Sequence, residues 1–313
     1  MTIPKILIVG YGSQGKVWAK NLHDNGIDFH IGLRLNSANI QIAQENGHSI
    51  VLLEKSNSNI SNFDTVIILS PDEGHQNILG TISSHLKTGT KIIYAHGYSV
   101  DKEKLNQKYP NFSHLLLAPK AIASELRILF LEKKPVPAAF SLEFSLSPIE
   151  DLKTVQFIAQ NIGMTGKLIQ STFREETFCD LFSEQSLLCS TIPFLIKKSY
   201  DNLVSQGISK ELAFLECCLE SKYIINTLLK VGFKDFFHLI SPNALIGAHK
   251  ATQLLFNDEF IQQFNSLFSD IKNGDFYTEI EDSNLERIRK KMVSLYEEGD
   301  IDVTRKNLQE YLN

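Results

Sequence analysis

Six short, almost uninterrupted apolar runs mark the first half of the chain: KILIVG (5–10), DFHIGL (28–33), DTVIILS (64–70), KIIYAHG (91–97), HLLLAP (114–119) and VPAAFSL (136–142). They lack apolar–polar alternation and are dense in β-branched and aliphatic residues, the pattern of strands buried on both faces. Helically spaced stretches lie between several of them, which predicts βαβ units and an α/β, Rossmann-like domain with a mostly parallel sheet. From about residue 173 the strand-like runs stop. Segments such as CDLFSEQSLLCSTIPFLIKKSYDNLV (179–204) and SKELAFLECCLESKYIINTLLKVG (209–232) show helical spacing, broken at Gly207 and Gly232. The expected organisation is therefore a Rossmann domain over residues 1–172 and an all-α domain over 173–313, with the boundary near QSTFREET. The charged stretch from Asp282 to Asn313 reads as a solvated amphipathic helix or tail.

Composition narrows this picture only a little. Apolar residues make up 43% of 313, enough for two buried cores, and the net charge of −5 gives no reason to expect nucleic acid or a membrane surface as partner. No apolar run reaches the roughly 18 residues of a membrane-spanning helix. MTIPK leads straight into the first strand with no leader pattern, and Cys179, Cys189, Cys217 and Cys218 show no metal-finger spacing. The expectation is a cytoplasmic protein with reduced thiols.

Chemistry enters with Gly10-Tyr11-Gly12-Ser13-Gln14-Gly15, which fits GxGxxG between a strand and the helical KVWAKNL. In that context Gly10 permits the tight turn, Gly12 the approach of a pyrophosphate and Gly15 helix–strand packing, with phosphates resting on amides of the helix N-terminus. An ordinary strand–turn–helix is the bland alternative. The second strand ends in Gly32-Leu33-Arg34-Leu35-Asn36-Ser37, without the acid that NAD sites use on the ribose hydroxyls. Arg34 and the Ser37 hydroxyl suit a 2′-phosphate instead, so NADPH is the expected cofactor; a surface arginine in a turn is the alternative.

His96, after IIYA, and Lys120, after LLLAP, stand at the ends of predicted strands, the sheet edge where ligands bind in open α/β sheets, although either residue there is more often solvated. In the helical half, Asp180 and Glu184 are four apart, as are Glu216 and Glu220. Like charges at that spacing repel by a few tenths of a kcal/mol and are tolerated around a cation, Mg²⁺ being the one hard oxygen donors suit. Two solvated helix faces explain the spacing equally well.

Taken together these residues resemble the ketol-acid reductoisomerase (acetohydroxyacid isomeroreductase) family in its short form. The landmarks in order are GYGSQG, IGLR, LSPDE, AHG, APK, STFREET, DLFSEQ, LECCLES and IKNGDF. The resemblance implies a Mg²⁺-dependent alkyl shift of a 2-acetolactate-like acid followed by hydride reduction from NADPH. It implies two Mg²⁺ ions, with Asp180 bridging them, Glu184 on one, Glu216 on the other, and Glu220 near the metal waters and substrate oxygens. It further implies Lys120 in proton transfer, His96 placing substrate and cofactor, and Ser241 contacting the substrate carboxylate. A knotted helical domain and a homodimer with shared active sites belong to the same implication.

Three segments depart from the family pattern. Ala121-Ile122-Ala123-Ser124 stands where Gly-Pro-Gly-His is usual, Pro242, Leu245, Ile246 and Ala248 make a polar wall apolar, and Tyr98-Ser99-Val100 replaces Phe-Asn-Ile after AHG. Lost glycines and a lost proline beside Lys120 change backbone freedom there. A paralogue acting on another 2-hydroxy-2-acyl acid, one that only reduces a 2-keto acid, and a non-catalytic NADPH-binding sensor therefore stand as alternatives.

Overall fold

The computed structural model describes residues 3–297 and 300–312. Met1 and Thr2 of the expected leaderless start, and Glu298, Gly299 and Asn313 of the charged tail, lie outside the described residues. The chain divides into two compact units, Met1–Thr177 and Phe178–Asn313.

In the first unit all six apolar runs form strands, joined by two that the pattern did not mark. The strands are β1 (Ile6–Val9), β2 (Phe29–Leu33), β3 (Ile50–Leu52), β4 (Thr65–Ile68), β5 (Lys91–Tyr94), β6 (Ser113–Pro119), β7 (Ala138–Phe144) and β8 (Leu168–Gln170). They build one sheet in the order β3-β2-β1-β4-β5-β6-β7-β8. Every pairing is parallel except β6 with β7. β3 and β8 are three-residue edge strands, too short to make an apolar run of their own.

Helices cover both faces: α1 (Ser13–Asp24), α2 (Asn39–Glu45), α3 (His75–Ile82), α4 (Tyr98–Glu103), α5 (Leu105–Lys108), α6 (Ala123–Leu131) and α7 (Pro148–Ile162). Alternate residues of β1 go to opposite cores. Ile6 and Ile8 pack with Trp18 and Leu22 of α1, Leu126 of α6 and Ile158 of α7, while Leu7 and Val9 pack with Leu79 of α3 and Val100 of α4. Two buried faces are why the runs are continuous, and each fully buried Ile or Leu contributes about 1.5–3 kcal/mol. The strand order reverses at β1, between β2 and β4, so a crevice opens beyond the carboxyl ends of these strands.

α8 (Phe173–Ser183) contains the division between the units. The second unit is helical: α9 (Thr191–Ser205), α10 (Lys210–Phe214), α11 (Glu220–Val231), α12 (Phe233–Phe236), α13 (Pro242–Leu255), α14 (Asp258–Asn273), α15 (Asp275–Asp282), α16 (Leu285–Glu297) and α17 (Ile301–Asn307). Its core gathers Tyr200, Ala213 and Phe214 with Ile301 and Leu308. Among the described residues the charged C-terminal stretch holds two α-helices, α16 and α17, and Ile301 and Leu308 within it are drawn into packing. No helix among the described residues is long and apolar enough to cross a membrane.

Candidate active site

The glycine turn after β1 is shaped by contacts that a side chain would obstruct. Gly10 has φ +100°, and a Cβ there would come within 2.7 Å of the Ser70 nitrogen. A Cβ on Gly15 would meet the Gly10 carbonyl oxygen at 2.4 Å, so this glycine lets α1 start directly over the turn. Gly12 faces open space and caps α1 without a side-chain hydrogen bond, leaving first-turn amides for an anion.

A cavity of about 260 Å³ beside the turn is lined by Gly10, Tyr11, Gly12, Gly32, Leu33, Arg34, Ser37, Ser70 and their neighbours. Arg34 is exposed at its rim. Ser37 Oγ accepts from the Asn39 N–H at 3.3 Å and keeps its own proton to donate. Two of the expected binding residues are engaged elsewhere. The Tyr11 ring is buried against His48 with its hydroxyl accepting from Asn46 Nδ2 at 3.1 Å, and Gln14 Oε1 accepts from Trp18 Nε1 at 3.2 Å. Their backbones, and not their side chains, are what they offer a ligand. The open cradle and uncapped helix end fit a dinucleotide pyrophosphate, with Arg34 and Ser37 placed for a ribose phosphate.

At the ends of β5 and β6 the structure gathers a polar cluster. Lys120 Nζ donates to Glu176 Oε1 at 2.8 Å; the carboxylate is 2% exposed and the ammonium side chain 39%. Glu176 Oε2 accepts from the Gly97 N–H at 2.8 Å and lies 3.9 Å from His96 Nε2. On its other side the His96 ring donates from Nδ1 to Asp72 Oδ2 at 3.4 Å. Gly97 makes this possible, because a Cβ there would reach 2.2 Å from the Phe173 carbonyl oxygen at the start of α8. Burial pushes the Asp72 carboxyl up, but the His96 hydrogen bond and the electrostatic influence of the His75 and His96 rings and of the Ser99 backbone outweigh it and hold it below the usual range. The backbone of Lys120 is fixed as well, its N–H donating to the Pro137 carbonyl at 3.0 Å despite the altered Ala121–Ser124 segment.

Glu176 and Asp72 are the two members of this cluster that sequence reasoning passed over. The signal for Glu176 was present: it stands four residues before Asp180, which stands four before Glu184, a single helical stripe. Asp72 had no comparable signal, since it pairs with His96 only through the turns after β4 and β5.

The acidic pairs of the helical unit both touch π-helical turns. Asp180 lies on α8, and Glu184 opens the π-turn Glu184–Leu188, whose carbonyl accepts from the Cys189 N–H at 3.0 Å. Glu216 lies inside a second π-turn, Leu215–Leu219, and Glu220 begins α11. The even helical stagger assumed for Glu216 and Glu220 is therefore interrupted by a wider turn, a feature that recurs at functional sites. Among the described residues no three His, Cys, Asp or Glu side chains come together as a metal ion requires. The donors have the right chemistry for Mg²⁺. Ser241, expected at a substrate carboxylate, caps α13 by accepting from the Ala244 N–H at 3.2 Å, and Pro242 at the first helical position explains the helix start. Its hydroxyl proton remains to donate.

Comparison with known proteins places these features in context. A family profile described as acetohydroxy acid isomeroreductase, NADPH-binding domain, matches residues 1–166, and one described as ketol-acid reductoisomerase, C-terminal domain, matches residues 173–311. A ketol-acid reductoisomerase (NADP(+)) of Clostridioides difficile is 33% identical over 275 residues, 87% of this chain and 82% of that protein. Among solved structures, an NADH-preferring ketol-acid reductoisomerase from an uncultured archean superposes with a TM-score of 0.81 at 26% identity, over 98% of this chain and 94% of the other. A pyrroline-5-carboxylate reductase from Coxiella burnetii (TM-score 0.63, 13% identity, 87% and 98% covered) shares the fold alone.

Proposed function

This chain belongs to the ketol-acid reductoisomerase family, and from that premise we propose that it is an NADPH- and Mg²⁺-dependent isomeroreductase. In this reading it moves an alkyl group within a 2-acetolactate-like acid and reduces the product to a 2,3-dihydroxy acid. The observation that carries the reading is the ion-paired cluster at the sheet edge: Lys120 backed by buried Glu176, with His96 between Glu176 and Asp72. Ser70 lines the dinucleotide cavity and Asp72 stands two residues on, so the cofactor crevice and the cluster share one turn.

The chain's own residues then divide the work. Amides at Gly12 and the start of α1 would hold the pyrophosphate, and Arg34 and Ser37 the 2′-phosphate, of NADPH, which when bound supplies the hydride. Lys120 Nζ offers a proton to a substrate oxygen while its ion pair with the Glu176 carboxylate holds it in place. His96 orients the substrate, and Ser241 Oγ–H donates to its carboxylate. Asp180, Glu184, Glu216 and Glu220 would hold two Mg²⁺ ions, which when bound polarise the reacting oxygens and stabilise developing alkoxide charge. The same reading includes a homodimer in which a second copy completes each site, in keeping with donors that do not converge among the described residues. The knotted path of the helical unit is part of the same proposal. So is a reducing, cytoplasmic setting, supported by four cysteines that are all free thiols.

A second reading keeps the chemistry and changes the acid. It is favoured by the apolar side chains that replace polar or small ones, Ile122 at 73% exposed and Ile246 at 68%. The test follows NADPH absorbance with racemic 2-acetolactate, in parallel with 3-hydroxy-3-methyl-2-oxobutyrate and with EDTA controls. Turnover of acetolactate, abolished by EDTA, is the expected result. Turnover of the rearranged acid alone would mean reduction without the shift. Silence with both, despite tight NADPH binding, would move the search to other 2-hydroxy-2-acyl acids and then to a sensor.

A further inference from the structure

One buried dyad takes no part in the reading above. His75 opens α3 and is 3% exposed, and Ser99, in the first turn of α4, is 0% exposed. His75 Nε2 lies 2.9 Å from the Ser70 carbonyl oxygen, which can only accept, so Nε2 carries the proton. Nδ1 is then the acceptor of the ring, and the Ser99 hydroxyl donates to it at 2.6 Å. Burial drives the His75 pKa down, and the Asp72 carboxylate and the Ser70 carbonyl offset this only in part, so the ring stays neutral and the tautomer is kept. The Ser99 backbone also favours the ionised Asp72 carboxylate electrostatically.

The sheet ladder between β4 and β5 ends at Ile68 and Tyr94. Beyond it, the turn that carries Ser70 and Asp72 and the turn that carries His96 and Ser99 have no strand pairing to fix their spacing. His75 grips one turn through the Ser70 carbonyl and the other through the Ser99 hydroxyl. Asp72 Oδ1 is buried without a hydrogen-bond partner among the described residues, 3.7 Å from His75 Nδ1. The orientation of that carboxylate therefore depends on His96 Nδ1 at 3.4 Å and on the spacing of the two turns that His75 and Ser99 tie together.

We infer that His75 and Ser99 are positioning residues that hold Asp72, and through Asp72 the imidazole of His96, in the orientation the reaction uses. The role in turnover rests on the proposed isomeroreductase function; the role in fixing His96 does not.

The test compares Ser99→Ala, His75→Leu and His75→Gln with the unaltered protein. Gln keeps one acceptor and one donor in place of the imidazole pair. Each protein is measured for kcat and KM with acetolactate, NADPH affinity, thermal midpoint, and the His96 ring ¹⁵N signals in ¹⁵N-histidine-labelled protein. Ser99→Ala and His75→Leu are expected to lower kcat about 10–100-fold, with NADPH affinity unchanged and the His96 ring signals shifted. His75→Gln is expected to recover most of both. Unmoved His96 signals in Ser99→Ala overturn the inference, whether kcat holds or falls in step with the thermal midpoint. If Ser99→Ala does not fold, Ser99→Cys, a weaker donor at the same atom, replaces it with the same two outcomes. An unaltered protein silent on every acid sinks the proposed function, and the His96 signals still decide the positioning role.

Discussion

The two units of this chain finish different fractions of their work alone. The α/β unit buries both faces of its sheet and wires its polar cluster through bonds within itself, from Lys120 through Glu176 and His96 to Asp72. The helical unit has no buried residue along α11, α12 or α13, and Leu229 on α11 is 76% exposed. Its four candidate metal donors likewise do not converge within one chain. A soluble monomer rarely leaves so much apolar surface in one region. The α/β unit thus completes its polar cluster within itself, whereas the candidate metal donors of the helical unit stay apart among the described residues, and the proposed second copy answers that difference.

The sharpest way to break that contrast is to remove one metal donor. Glu216→Gln keeps size and hydrogen bonding and removes a charge. If the helical unit supplies the metal site, kcat is expected to fall on the order of 10³-fold, while NADPH affinity, measured by fluorescence, stays within twofold. Unchanged turnover would remove the carboxylates from the chemistry and leave the α/β unit as the whole machine.

Charging the uncovered face has the next largest expected effect. On a free surface, Leu229→Glu with Ile246→Glu changes stability by about 0.5 kcal/mol or less per site. Beneath a partner subunit the same charges lose their water and disrupt association. Sedimentation is expected to show a monomer that binds NADPH normally and has lost at least about tenfold in turnover, a shift of roughly 1.4 kcal/mol. A double variant that remains dimeric and active would show that the face is covered by something else or by nothing.

How much of this was legible follows the same division. The strands of the α/β unit were plain in the sequence because double-sided burial writes continuous apolar runs; β3 and β8 were missed because three edge residues write almost nothing. The glycine turn was legible because its chemistry is local. Glu176 was within reach, since it shares the helical stripe of Asp180 and Glu184, but the pairwise search for metal donors stopped one turn short of it. Asp72, His75 and Ser99 were beyond reach, because their contacts join two loops 24 residues apart along the chain. The π-turns were equally hidden, since each shifts hydrogen bonding from four residues to five with no marker residue.

The smallest expected effect is a difference in acid sensitivity between the units. His75 and His114 are buried in the α/β unit, and burial holds both pKa values below the ordinary imidazole value, with partial opposition from Asp72 at His75 and from the Tyr109 carbonyl at His114. His114 is tied as His75 is: Nε2 donates to the Tyr109 carbonyl at 3.0 Å, and Nδ1 accepts from the Tyr94 hydroxyl at 2.9 Å. In the unfolded chain each takes up a proton near pH 6.5, whereas the fold resists it. The unfolded state therefore binds more protons between the depressed folded values and about 6.5, and stability falls as pH drops through that window. Asp72 adds to the loss only lower, as pH falls from its unfolded value near 3.8 through its depressed folded one. The helical unit has only His238 and His249, both exposed. Calorimetry between pH 7 and pH 5 is expected to lower the midpoint of the α/β unit by roughly 2–4 °C per kcal/mol lost, with little change in the helical transition. His114→Gln, which cannot take the proton, is expected to flatten part of that slope; an equal slope in the variant would mean that the acid sensitivity arises from some other group.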